Sequence, residues 1–189
     1  MSIKQYWDKA VSFSEYLKDA EEKLNNPKNQ DEVDKKQYYE LALQRMNRAI
    51  KTFKKSEEDV QALKNKNFKG KILIITEAWC GDSSQSAPVI NQFFEGENEV
   101  RFFYRDSDHS LIDQFLTNGA QAIPKVLILN EDDEVINTWG PRPAYGVELL
   151  KKFKADPENY PREQFYNDLQ VYYAKNKGKD TIAEILDLI

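Results

Sequence analysis

Residues 71–76, KILIIT, constrain the fold more than any other stretch of this chain. A strand with one wet face alternates apolar and polar residues, whereas Ile72, Leu73, Ile74 and Ile75 follow one another without a break. Such a run suits a strand buried on both faces. Gly70 marks the turn before it, and TEAWCGDSSQSAPVI, which follows at once, reads as a helix start. The chain must therefore build a sheet covered by helices on both sides. Its only cysteine, Cys80, falls where the first strand hands over to a helix.

The remaining elements follow from periodicity. Ile3, Trp7, Ala10, Val11, Tyr16, Leu17, Ala20 and Leu24 recur at spacings that suit one buried helical face, and NNPKNQDE interrupts them. Tyr39, Ala42, Leu43, Met46, Ala49, Ile50 and Phe53 describe a second, long helix that frays before Lys69, so residues 1–67 are expected to form a helical hairpin. From residue 68 to 154 the order is strand, helix through Pro88 to Phe94, strand EVRFFYR, short helix near Ser110 to Leu116, then AIPKVLIL and EVINTW around the acidic turn NEDD, and a helix at about Val147 to Phe153. This order predicts a right-handed parallel β-α-β unit joined to a hairpin, an α/β fold. Residues 155–189 are expected to add two helices, Arg162 to Tyr173 and Thr181 to Ile189, the last capped by Asp180 or Thr181 and both packed on the core as one compact unit.

Composition narrows the function classes. A net charge of -5 and a pI near 5.1 argue against nucleic-acid binding, and KTFKK reads as the solvated end of a helix. No apolar run approaches the roughly 20 residues of a membrane span. The first 23 residues are charged throughout and lack the apolar core of a secretory signal, which points to a cytoplasmic location. One cysteine permits no intramolecular disulfide and no cysteine-rich zinc site. NEDDE lacks the alternating ligands and glycine of a calcium loop, so no metal site is expected.

Four landmarks sit in order on these elements: Trp79-Cys80-Gly81-Asp82-Ser83 after the first strand, Pro88 eight residues beyond the cysteine, Ile123-Pro124 before the third strand, and Gly140 after the last. In this the chain resembles the thioredoxin family, over about residues 68–154. The resemblance implies a thioredoxin fold, with a mixed sheet of about four strands between helices and a cis peptide bond before Pro124. Ser83 stands where the family has its second cysteine, and Ile74 where many members bury an aspartate. The helical hairpin and the tail resemble those of bacterial thioredoxin-like proteins that carry Trp-Cys-Gly-Asp segments.

The chemistry expected of this site follows from Cys80. A helix N-terminus stabilises a sulfur anion, while Asp82 opposes it, and these two effects predict a thiol pKa of roughly 6.5 to 8. Ser83, one turn on, is placed to donate a hydrogen bond to the thiolate but cannot resolve a mixed disulfide, so release falls to an external thiol such as glutathione. Catalysis is thus assigned to Cys80 and Ser83. Binding of a protein disulfide or a low-molecular-weight thiol is assigned to Trp79, Gly81, Asp82, Ile123, Pro124 and Gly140, with Trp79 and Trp139 as groove walls beside GPRP and no resident cofactor. His109, in DSDHS, reads as a solvated cap residue. Two other classes remain open: a redox-inactive binding module that keeps only the groove, and a monothiol glutaredoxin-like protein holding an iron-sulfur cluster with glutathione. Asp82 and the helical additions weigh against the cluster.

Overall fold

A computed structural model describes all 189 residues. The sheet has the order β2-β1-β3-β4, formed by β1 (Lys71–Thr76), β2 (Val100–Tyr104), β3 (Lys125–Leu129) and β4 (Val135–Trp139). Strand β1 runs parallel to β2 and antiparallel to β3, and β4 completes a hairpin with β3. Because side chains alternate across a strand, the unbroken run in β1 feeds two separate cores. Ile72 and Ile74 join Val126 and Ile128 on one face, while Leu73 and Ile75 join Leu127 and Leu129 on the other.

The N-terminal segment differs from the expected hairpin. It breaks into α1 (Ile3–Lys9) and α2 (Phe13–Asn25), because Ser12 and Glu15 form a capping box that starts a new helix. Between them Val11 exchanges two backbone hydrogen bonds with Phe102, of 2.9 and 2.8 Å, which covers the open edge of β2. The break sends α1 and α2 to opposite faces of the sheet. Tyr6 and Trp7 of α1 pack with Leu73, Ile75 and Phe103, whereas Tyr16 and Ala20 of α2 pack with Ile72 and Ile74. The short helix expected near Ser110 is reduced to 3-10 turns at Arg105–Ser107 and Ile112–Gln114. Helix α1 covers that face in its place.

Helices α3 (Gln30–Asp34), α4 (Lys36–Thr52) and α5 (Glu57–Lys66) follow α2. The second long helix thus stops at Phe53, and Ser56, accepting from the Asp59 N–H, starts another. Helix α6 (Ser83–Phe94) is buried along nearly its whole length, with Pro88 inside it. Helix α7 (Ala144–Ala155) follows β4, and the tail forms α8 (Arg162–Asn176) and α9 (Lys179–Asp187). Neither Asp180 nor Thr181 caps α9. Gly178 does so at φ +83°, lying so close to Val89 of α6 that no Cβ fits. Through Ile182, Ile185 and Leu186, α9 enters the same core as α2, α4 and α6. No helix is long and apolar enough to cross a membrane.

Candidate functional site

Strand β1 ends at Thr76, and a short turn carries Glu77 to Asp82 into α6. The Cys80 N–H donates to the Glu77 carbonyl at 3.0 Å, and the Cys80 carbonyl accepts the Ser84 N–H at 3.0 Å, so the cysteine sits in the turn that feeds the first helical turn. The residue is 8% exposed, and Sγ lies 3.5 Å from the Ile123 carbonyl, to which the thiol donates. Burial pushes the thiol pKa up, and the charge of Asp82 adds to the rise. The Ser83 hydroxyl and the N–H groups of Ser83 and Asp82 act in the opposite direction without overcoming it. The expected lowering of the thiol pKa is therefore reversed. The sequence argument included the helix end and Asp82 but not desolvation, which sets the sign here.

Ser83 is fully buried, and its hydroxyl faces the sulfur without reaching hydrogen-bond geometry with any partner. Asp82 takes a role the sequence did not reveal. One carboxylate oxygen accepts from Arg142 Nη2 at 2.5 Å and Nε at 3.2 Å, and the other accepts from the Tyr173 hydroxyl at 2.7 Å. The motif is thereby tied to the GPRP loop and to α8. Burial and the Asp82 charge hold the Tyr173 hydroxyl well above its ordinary pKa.

The other expected site residues divide into two groups. Trp79, Cys80, Gly81 and Asp82 line a cavity of about 640 Å³. Its walls are Tyr38, Leu41 and Arg45 on the α4 side and Arg162, Tyr166 and Leu169 on the α8 side. Ile123, Pro124 and Gly140 lie on the other flank of the sulfur and do not line this cavity. The Ile123-Pro124 and Gly140-Pro141 peptide bonds are both cis. Gly140, at φ +110°, lies against the Pro124 carbonyl so tightly that a Cβ would overlap the oxygen, and its lack of a side chain lets β4 close on the proline. Trp139, expected as a groove wall, is buried instead, with Nε1 donating to Glu184 of α9 at 2.7 Å. Trp79 carries two cations over its ring, Lys35 at 4.9 Å and Arg105 at 5.5 Å. His109 is half exposed beside Asp106, 3.6 Å away, and takes no part in the site.

Sequence reasoning missed Arg45, Arg142, Tyr173 and Glu77. No basic residue lies within three positions of Cys80, yet folding places the guanidinium groups of Arg45 and Arg142 near enough to sense its charge. Glu77 is 4% exposed. Burial raises its pKa to about 7, although its carboxylate accepts the Asp106 N–H at 2.7 Å. Its position directly after a fully buried strand was the available signal.

The family profile described as thioredoxin matches residues 27–154. The chain belongs to the thioredoxin family. The match begins well before β1, so it also takes in α3 to α5, which the resemblance read from the motifs did not reach. Among solved structures, the chain is similar to a protein of unknown function from Pseudomonas aeruginosa, with 14% identity, a TM-score of 0.66, and coverage of 100% of this chain and 96% of that one. An HIV epitope-scaffold gives the same identity and TM-score, covering 100% of this chain and 97% of its own. At that identity the two structures speak to fold alone. No curated protein matches.

Proposed function

We propose that this thioredoxin-family protein carries out monothiol thiol-disulfide exchange through Cys80. The observation that carries the reading is that Cys80, at the turn into α6, is part of the wall of the large cavity between α4 and α8. Exchange starts when the small thiolate fraction attacks an incoming disulfide, and the developing charge is met by the Asp82 and Ser83 N–H groups and the Ser83 hydroxyl. With Ser83 in place of a second thiol, the mixed disulfide persists until an outside thiol attacks it. Glu77 does not replace the family's buried acid at the sulfur, since its carboxylate is turned to the Asp106 N–H.

The test is intact mass after exposure to oxidised glutathione. The reading expects one adduct on the folded protein, absent in Cys80→Ala and reversed by added thiol. An unmodified folded protein whose cysteine reacts only after denaturation would refute it. A second reading, a binding module without redox turnover, is favoured by the raised thiol pKa and the low exposure of Cys80. It expects a partner captured equally by wild type and Cys80→Ala.

A further inference from the structure

We propose that the cavity beside Cys80 is an anion-selective subsite that admits low-molecular-weight disulfides bearing carboxylates, with Arg45 and Arg162 setting the selectivity. This rests on the exchange reading for its substrate and on an independent feature, the charge of the cavity, for its selectivity. Four cations line the space: Lys35, Arg45, Arg142 and Arg162. Asp82 is the only carboxylate among the lining residues, and Arg142 pairs with it at 2.5 Å. Lys35 is paired with Asp31 at 2.8 Å. Arg45 and Arg162 are in no ion pair, and Arg162 instead lies 5.7 Å over the Tyr166 ring. Two arginines therefore line the cavity outside any ion pair, one from each wall, with Arg45 also feeling the charge of Asp82.

The volume, about 640 Å³, lies within the range of pockets for small organic ligands. Tyr38, Leu41, Trp79 and Tyr166 supply apolar surface between the charges. At the other flank the Gln121 carbonyl, a backbone acceptor shortly before Pro124, is already occupied by Arg105 at 3.1 Å and is closed to an extended protein substrate. Both free arginines come from helices outside the β-α-β-β frame, α4 and the start of α8. The added helices thus supply the selectivity.

In the exchange, the Cys80 thiolate attacks one sulfur of R–S–S–R. The Cys80–sulfur bond forms as the R–S–S–R bond breaks, and the departing RS⁻ takes up the proton that Cys80 gave up. One thiol and one disulfide yield one thiol and one disulfide. With R carrying carboxylates, Arg45 and Arg162 hold the incoming group while the sulfur is attacked.

Two measurements test the proposal. The first compares rates of Cys80 with anionic dithiobis-nitrobenzoate and neutral dithiodipyridine, each divided by the rate of the urea-unfolded chain. The corrected anion-to-neutral ratio should exceed one at low salt, decline with added salt, and fall about 3- to 10-fold in Arg45→Gln and in Arg162→Gln. The second titrates glutathione sulfonate, which cannot exchange, into wild type and both variants. Saturable, salt-sensitive binding weakened in each variant supports the subsite. No binding at millimolar concentration, or binding and ratios unchanged by both substitutions, overturns it even if exchange proceeds. Binding of the sulfonate with no reaction of either disulfide on the folded protein would uphold the subsite and refute the exchange reading instead.

Discussion

The two flanks of Cys80 are built on opposite principles. On the Ile123 flank the backbone closes: Glu77 holds the Asp106 N–H, Arg105 holds the Gln121 carbonyl, the thiol touches the Ile123 carbonyl, and Gly140 presses on Pro124. On the Asp82 flank one carboxylate gathers Arg142 and Tyr173, and beyond it the cavity opens between α4 and α8. The β-α-β-β frame supplies the first flank, and helices outside that frame supply most of the second. The position of the sulfur and the walls of the cavity are therefore set by different parts of the chain.

Breaking the Asp82 flank should cost most. Asp82→Ala leaves Arg142, with a side chain 14% exposed, and the buried Tyr173 hydroxyl without their partner. Loss of one member of such a pair destabilises by about 3–5 kcal/mol. Urea unfolding at neutral pH measures it, and a change below about 1 kcal/mol would mean that the cluster is solvated. On the closed flank, Gly140→Ala combines a positive φ with an overlap on the Pro124 carbonyl. The expected loss is about 2–4 kcal/mol by the same measurement.

Glu77→Gln should have the opposite sign. The carboxyl keeps its proton more tightly when folded, with the pKa raised from 4.5 to about 7. Its contribution to stability is therefore complete below about 4.5 and is lost as pH rises through about 7. The variant should match wild type near pH 4 and exceed it by about 1–3 kcal/mol at pH 8. Denaturation curves at both pH values check this; equal stability at pH 8 would place the carboxylate in water. The smallest effect belongs to Ser83→Ala. The hydroxyl has no hydrogen-bond partner, so stability should shift by less than about 1 kcal/mol. The pH midpoint of Cys80 alkylation should rise, because one group favouring the anion is gone.

The frame was legible where one local rule governed. KILIIT announced a doubly buried strand, and WCGDS, Ile123-Pro124 and Gly140 appeared in thioredoxin order on independently derived elements. Helix breaks were legible in principle: Ser12 with Glu15 is a capping box, overridden in the reading by an apolar periodicity that ran across it. The site was legible only in part. Its sulfur and helix end are local, but its charges come from Arg45, Arg142 and Tyr173, distant in sequence and converging only on folding. Desolvation, which decides the thiol pKa, is likewise a property of packing and has no sequence spacing.

The most direct measurement is a crystal structure of the mixed disulfide between Cys80 and glutathione. The account predicts the tripeptide lying between α4 and α8, with carboxylates on Arg45 or Arg162. A tripeptide stretched along Ile123-Pro124, with the cavity between the two helices empty, would contradict it.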